Sequence, residues 1–364
     1  MTPHPLTVLH VNTERGWRGG ERQTLWLAEG LALAGHRCML AARPEQPLAC
    51  RAAAAGITVV PCAPTLELDV ISGLTLRRSV LNERVDIVHA HTAHAVALAA
   101  MAVSRTPARM VVTRRAAFRL RSNPLTRWKY HRADAIIAIS NRVERALVDG
   151  GIDRALIAVV PSGVKLDRHV RAASRAELGV SADAPLVVMV GALTAEKDPV
   201  TFVRAVAAAS RQVPAMHALL VGDGPLRGIV ETEAARLGLA SSLRLTGYRD
   251  DADALIAAAD VVALSSVEEG LGSVLIDAMV FGKPVVATAA GGITELVVDG
   301  ETGLLVAPGD AEALGAALAR VIAEPGMAAR LGAAALARAP RFSIENTVAR
   351  TLAVYERVMS APAR

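Results

Sequence analysis

The residues best placed by type and spacing to do chemistry fall in one stretch, Ser265-Ser266-Val267-Glu268-Glu269-Gly270-Leu271-Gly272-Ser273. Gly270 and Gly272 let the backbone approach a ligand, and the periodic run from Ser273 to Val280 predicts a helix whose first amides point into the turn. Such a turn holds an anion. Glu269 lies ahead of that helix and Asp277 about one turn inside it. Two carboxylates can then face different parts of one ligand, and carboxylates accept hydrogen bonds from polyols. The alternative is that Glu269 caps the helix and Asp277 is a solvated helix residue.

Other places offer reactive or charged groups. Lys197 stands in a turn, Gly191–Pro199, that directly follows a buried apolar run. The loop Asn12–Glu21 is glycine-rich, carries Gly19 and Gly20, and ends at a helix N-terminus, as a phosphate-facing or acceptor-facing loop does. Glu21 is a candidate side chain there. His91 and His94 close another apolar run, where either can reach an acceptor hydroxyl or simply be structural. From Arg114 to Arg132 the chain holds Arg114, Arg115, Arg119, Arg121, Arg127, Lys129 and Arg132 without an acid, interleaved with Phe118, Leu120, Trp128 and Tyr130. That face suits an anionic membrane surface, with a solvated basic surface or an RNA-attracting patch as alternatives.

Two further motifs mislead. Gly222–Gly228 follows an apolar run but reads G-x-G-x-x-x-G, and the next run ends in Thr246-Gly247-Tyr248-Arg249 without the ribose acid a nicotinamide site needs. Asp251-Ala252-Asp253 imitates a metal-binding D-x-D yet opens a helix, where acids favour the dipole and cap the amides.

The elements that must position these residues follow a βα rhythm. Short apolar runs, each ended by a turn signal and followed by a helical stretch, predict parallel strands. In the first half these are Leu6–Val11, Cys38–Ala42, Thr58–Pro61, Asp86–Ala90, Met110–Thr113, Ala135–Ile139 and Ala158–Val160. In the second they are Leu186–Val190, Ala218–Val221, Leu243–Thr246, Val261–Leu264, Pro284–Ala287 and Gly303–Val306. A length of 364 residues favours more than one core. The break falls at Pro161-Ser162-Gly163, giving α/β domains at 1–163 and 164–340, and a helix over 341–364 that crosses back to the first. Doubly wound sheets take ligands beyond the carboxyl ends of their strands, so two such domains facing each other are expected to share an interdomain cleft. Apolar residues at 52% and charged residues at 21% exclude a disordered chain, and aromatics at 3% argue against nucleic-acid binding by base stacking. The net charge of +5 is local to Arg114–Arg132, and Cys38, Cys50 and Cys62 suit a reducing compartment without metal spacing. The N-terminal run lacks an export signal's pattern, and the longest uncharged stretch, 89–104, is too short to span a bilayer.

The stretch Glu269–Asp277 resembles the E-G-x-G-x-x-x-x-E signature of retaining family 4 glycosyltransferases, which have the GT-B architecture of two Rossmann-like domains. GGITELVVDGETGLLVAPGD, VPSGV, VGDGP and RGGERQTLWLAEGLALAGH resemble other segments of that family, so the likeness covers most of the chain. It implies that Glu269 contacts the donor sugar and that Gly270, Leu271, Gly272 and Ser273 cradle its diphosphate. Asp277 stands where the family has a ribose-binding Glu, one methylene longer. Lys197 resembles the lysine that neutralises the departing diphosphate. Gly222 and the Tyr248–Arg249 loop fall on the donor side, as do Gly19 and Gly20. Glu21 and Arg114 fall on the acceptor side. Two departures stand out: Ala192 replaces an arginine common after the first glycine of the second domain, and Arg115 occupies roughly the place of a histidine. Arg115 is thus a candidate for the missing positive charge.

The resemblance implies a retaining, metal-independent glycosyltransferase without a cofactor, moving a sugar from a UDP- or GDP-linked donor to a glycan or lipid-linked acceptor such as a lipopolysaccharide. Glu269, Lys197, His91 and Arg115 are its catalytic candidates. The alternatives are a nucleotide-sugar epimerase of the same fold or a non-catalytic binding protein. A cytoplasmic enzyme, at most peripheral on the inner membrane face, is expected; nucleic acid is not an expected partner, and the sequence specifies no oligomeric state.

Overall fold

A computed structural model describes residues 4–120 and 123–362. Arg121 and Ser122 of the basic segment lie outside the described residues. The chain divides into two compact units, Met1–Lys165 with Ser343–Arg364, and Leu166–Phe342.

The first unit is a seven-stranded parallel sheet of β1 (Thr7–Val11), β2 (Arg37–Ala42), β3 (Thr58–Pro61), β4 (Ile87–Ala90), β5 (Arg109–Arg114), β6 (Ala135–Ala138) and β7 (Ile157–Val159), in the order β3-β2-β1-β4-β5-β6-β7. Its helices are α1 (Gly19–Leu33), α2 (Pro47–Ala54), α3 (Val70–Asn82), α4 (Ala93–Ala102), α5 (Pro124–His131) and α6 (Asn141–Asp149). The second unit holds β8 (Leu186–Val190), β9 (His217–Val221), β10 (Leu243–Gly247), β11 (Val261–Leu264), β12 (Val285–Thr288) and β13 (Leu304–Val306), ordered β10-β9-β8-β11-β12-β13. Its helices are α7 (Pro199–Ser210), α8 (Arg227–Arg236), α9 (Ala252–Ala258), α10 (Ser273–Val280), α11 (Ile293–Leu296), α12 (Ala311–Ala323) and α13 (Pro325–Arg338). The last helix, α14 (Ile344–Ser360), belongs to the first unit.

Every expected strand is present, and no end is displaced by more than one residue. Asp86 illustrates one such displacement: it stays outside β4, and its carboxylate accepts a 2.8 Å bond from the Thr7 amide, tying the bottom of β1 to the turn before β4. The inner strands are buried on both faces, as continuous Val/Ile/Leu runs require in a parallel sheet, while the edge strands β3, β7, β10 and β13 are partly open. With few aromatics to fill space, small residues bring helices close. A Cβ on Gly315 of α12 would lie 2.5 Å from that of Ala208 of α7, so glycine sets that spacing.

In both units the strand order reverses once, between β1 and β4 and between β8 and β11. A doubly wound sheet leaves a crevice at that point because neighbouring connections run to opposite faces. Gly19, Gly20, Glu21 and His91 follow β1 and β4, and Lys197 and Glu269–Ser273 follow β8 and β11, whereas Arg114 and Arg115 stand at the end of β5 and Gly222, Tyr248 and Arg249 follow β9 and β10.

Candidate active site

In the second unit, the loops leaving β8 and β11 are stitched to each other. The Glu196 carbonyl accepts the Val267 amide at 2.9 Å, and the Ser265 hydroxyl donates to the carbonyls of Lys197 at 3.0 Å and Asp198 at 2.7 Å. Lys197 closes a 3-10 turn, its stem lying over Gly191, and its ammonium pairs with the Glu269 carboxylate. The Ser266 hydroxyl also reaches that carboxylate, at 3.3 Å, and Ser266 is itself held by Thr288, whose hydroxyl donates to its carbonyl. Glu269 is nearly buried while Lys197 is about a quarter exposed, so the pair sits at the mouth of the crevice.

Glycines explain the loop's path. Gly272 caps α10 with φ of +83°, a left-handed conformation that side chains resist, and no side chain caps the helix. The alternative in which Glu269 is the cap is therefore ruled out. A Cβ on Gly291 would lie 2.1 Å from the Glu269 carbonyl oxygen, and one on Gly292 would lie 2.2 Å from that of Gly270. These two glycines let the strand-end after β12 pack directly under the Glu269–Gly272 turn. The outcome is a carboxylate, an ammonium and the first amides of α10 gathered at one loop, a combination suited to a polyol joined to an anion.

Asp277 is neither solvated nor alone. It is buried and pairs with Arg168 at 2.9 Å, while the same guanidinium reaches Asp253 of α9 at 2.8 Å and lies 5.1 Å from the Phe281 ring centroid. Arg168 was not a candidate from sequence. Asp251, expected to cap α9, instead grips Arg249 through two bonds of 2.7 and 2.5 Å and makes no cap bond. Each partner holds the other charged, lowering the Asp251 pKa and raising that of Arg249. Tyr248 is exposed, with its hydroxyl donating to Asp250 at 2.8 Å. Gly222 has a φ of +140°, and a Cβ there would sit 1.9 Å from the Gly191 carbonyl oxygen, so it too permits a close backbone crossing.

The first unit's reversal point is occupied differently. His10 of β1 pairs in register with His89 of β4, and His91 follows two residues on, so the three rings share one sheet face. Arg115 Nη2 lies 3.3 Å from His91 Nδ1 and its Nη1 donates to the Ser162 hydroxyl at 3.2 Å. A guanidinium only donates, so His91 Nδ1 accepts. The His91 proton then sits on Nε2 and is donated to His10 Nδ1 at 2.9 Å, which places the His10 proton on its own Nε2. His89 is held between the Tyr355 hydroxyl of α14 and the Thr113 hydroxyl, both at 2.7 Å.

Burial keeps all three neutral: it pushes the His10 pKa down to about 3, and it is the largest cause lowering those of His89 and His91 far below the ordinary imidazole value, helped by one another and by Arg115. His91 therefore has no lone pair to offer an acceptor hydroxyl, which corrects its expected role at the strand end. His94 is exposed on α4. The His10, His89 and His91 nitrogens lie within 4.8 Å of one another, close enough to suggest a metal cluster. Their lone pairs face ring N–H groups, hydroxyls or a guanidinium, a poor match for a cation.

Glu21, an acceptor-side candidate, accepts the Arg18 amide at 2.9 Å, so it stabilises the start of α1. Burial raises its pKa against that bond. Gly20 lies over the Arg115 stem, with its would-be Cβ 3.8 Å from Cδ. Gly19 begins the helix beside it. The Arg114–Arg132 segment is not one cationic face. Arg114 is buried, donating to the Phe118 carbonyl at 3.1 Å, and Arg115 turns toward the histidines. Lys129 is buried in an ion pair with Glu67. Arg119, Arg127 and Arg132 remain exposed.

Two family models match the chain, one over each half. A model described as glycosyl transferases group 1 matches residues 170–338, and one described as glycosyltransferase family 4 matches residues 17–168. The chain belongs to glycosyltransferase family 4.

Among relatives in this family, the lipopolysaccharide core biosynthesis glycosyltransferase LpsE of Rhizobium meliloti is 34% identical over 207 residues, 57% of this chain and 59% of that protein. The D-inositol 3-phosphate glycosyltransferase of Streptomyces avermitilis is 34% identical over 249 residues, 64% of this chain and 53% of that protein. Both matches thus span less than two thirds of the relative's length. Among solved structures, Anabaena HepE in complex with UDP and glucose superposes with a TM-score of 0.84 at 24% identity, covering 96% of this chain and 99% of that one. Sucrose-phosphate synthase from Thermosynechococcus elongatus gives 0.82 at 22% identity, covering 98% and 100%. The family 4 fold is GT-B, and the two doubly wound sheets described above are its halves.

Proposed function

We propose that this chain is a retaining glycosyltransferase that moves a sugar from a nucleoside-diphosphate donor, UDP- or GDP-linked, to an acceptor hydroxyl. The observation that carries the proposal is the Lys197–Glu269 ion pair beside the glycine-shaped turn and the first amides of α10. Family relatives named for glycosyl transfer and neighbours crystallised with UDP or UDP-glucose support it. A lipid-linked or lipopolysaccharide-type acceptor is supported by the LpsE likeness.

In this proposal the donor diphosphate draws the Lys197 ammonium and leaves Glu269 to accept hydroxyls of the sugar. The bond from the anomeric carbon to the phosphate oxygen breaks, its electron pair staying on the diphosphate. The growing charge meets Lys197 and the amides of Gly270–Ser273, groups already fixed before reaction and needing no metal or cofactor. The acceptor oxygen bonds the anomeric carbon from the same face and loses its proton to the departing phosphate oxygen. The histidine geometry supports that choice of base, because His91 spends both ring nitrogens on Arg115 and His10. In the first unit, Arg115 beside the start of α1 is the group offered to an anionic part of a substrate.

The test is a thermal-shift screen of UDP, GDP, ADP and their sugars, since a ligand of the native state raises its melting temperature. Product NMR with the binding donor follows. Stabilisation by a nucleotide sugar and a product of unchanged anomeric configuration are expected. No stabilisation by any of them, or an isomerised donor as the sole product, overturns the proposal.

A further inference from the structure

Asp198 stands in the left-handed region, with φ of +42° and ψ of +61°, although it is not a glycine. Residues with a side chain avoid that region. Pro199 adds to the strain, because a proline ring pushes the residue before it toward extended backbone. The start of α7 does not ask for this corner either. Asp198 caps the helix by accepting the Thr201 amide at 3.2 Å and the Thr201 hydroxyl at 2.6 Å, and a capping residue ordinarily takes extended angles.

The group that holds the corner is the Ser265 hydroxyl. Ser265 is the first residue beyond β11 and is fully buried. Its one proton is shared between two successive carbonyls, Lys197 at 3.0 Å and Asp198 at 2.7 Å. The Asp198 amide donates back to the carbonyls of Thr194 at 3.2 Å and Ala195 at 3.3 Å, which closes the 3-10 turn Ala195–Lys197. Were Asp198 to relax to extended angles, both carbonyls would turn away from Ser265. Among the described residues the buried hydroxyl would then keep only the weak Met189 sulfur, at 3.5 Å. The 3-10 turn would swing with the corner, and Lys197 is its last residue. The Lys197 stem over Gly191 and its ammonium on Glu269 therefore both depend on the hand of the corner.

We infer that Ser265 is a positioning residue for sugar transfer: its hydroxyl pins the strained Lys197–Asp198 corner and so aims the Lys197 ammonium at the departing diphosphate. The inference rests on the transferase reading of this loop given above. Ser265 is too deeply buried to touch a substrate, and it acts through Lys197. A group displaced by about 1 Å can cost about a hundredfold in rate, so the pin bears on turnover.

The experiment uses the fact that glycine takes left-handed angles without strain. With the donor found by thermal shift, Ser265→Ala should lower kcat about ten- to a hundredfold and change the donor KM by less than about threefold. Ser265→Cys, close in size and a weak donor, should fall between. The double variant Ser265→Ala/Asp198→Gly should regain most of the lost kcat, because the corner no longer needs a pin. It should nevertheless melt below Ser265→Ala, having lost the cap of α7 and gained freedom when unfolded. A serine that only stabilises the fold predicts the opposite, with activity following melting temperature. Crystal structures read the corner without a donor: Ser265→Ala should show Asp198 extended and the Lys197–Glu269 pair opened, and the double variant should restore both. A Ser265→Ala structure that keeps the corner and the pair, a kcat within about threefold of native, or a double variant no faster than the single one would overturn the inference. A native chain without transfer activity overturns the transferase reading, whereas native activity with an unchanged Ser265→Ala rate overturns this inference alone.

Discussion

The two units use the same sheet reversal for opposite chemistry. At the β8/β11 reversal, backbone turns shaped by glycine carry an ion pair that remains partly open to water. At the β1/β4 reversal, three imidazoles stand on the strands or just beyond one strand's end, closed off and neutral. Topology thus fixes where a crevice forms, while the residues on it decide whether charge is displayed or suppressed. Displayed charge suits a ligand that brings its own anion. Suppressed charge suits a wall whose protons stay put while a reaction proceeds nearby.

The largest expected effect breaks the display side. Lys197→Ala removes the ammonium assigned to the diphosphate and strands Glu269 beside it, and loss of one such fixed group costs roughly 10²- to 10³-fold in turnover. Lys197→Arg should recover only part of this, since a planar fork cannot replace a compact ammonium over Gly191. Steady-state rates with the donor found by thermal shift supply the measurement. A kcat within about threefold of native for Lys197→Ala would remove the ammonium from the mechanism.

The suppressed side should reveal itself in acid. A histidine whose folded pKa is lowered binds fewer protons folded than unfolded, so its stabilisation is complete above the unfolded value near 6.5 and is lost as pH falls below it. For His10, held to about 3, the loss at pH 5 is about 2 kcal/mol. A His10→Phe variant gives up the bond from His91 and is less stable at pH 7.5 by about 1 kcal/mol. Its further loss between pH 7.5 and pH 5 should be smaller than that of the native chain. Urea unfolding at both pH values measures the difference, and equal losses would mean that His10 does not titrate on unfolding in this range.

What sequence made visible divides along the same line. Strands, the Gly270–Gly272 turn and the start of α10 depend on local pattern, and each formed where residue order implied. The partners did not show, because each joins residues far apart in the chain: Lys197 and Glu269 are 72 positions apart, Arg168 and Asp277 are 109, and His89 and Tyr355 are 266. His10 left a faint signal, a polar residue inside an apolar strand matched by His89 and His91 on another. The Arg114–Arg132 run misled for a related reason. A cluster of cations reads as a solvated face, but burial of Lys129 depends on Glu67, 62 positions away, and that of Arg114 on a turn at Phe118.

Arg168 offers the finest discrimination between the two modes of display, because it turns a displayed carboxylate into a fixed one. Asp277 sits one methylene short of the family's glutamate, and the guanidinium that binds both it and Asp253 sets the direction of its carboxylate. If Asp277 serves the ribose, the native chain should bind UDP or GDP about ten- to a hundredfold more tightly than the 2′,3′-dideoxy form, one charged hydrogen bond being worth about 1.5–3 kcal/mol. Arg168→Ala should shrink that ratio toward unity and lower the melting temperature, since it leaves Asp277 buried without its cation. Arg168→Lys should fall between, keeping the charge without the fork. Calorimetric titration of both nucleotide forms separates local from global effects. Were Arg168→Ala to weaken both forms equally, Arg168 would be a structural tie only, and the ribose would have to be read by groups other than Asp277.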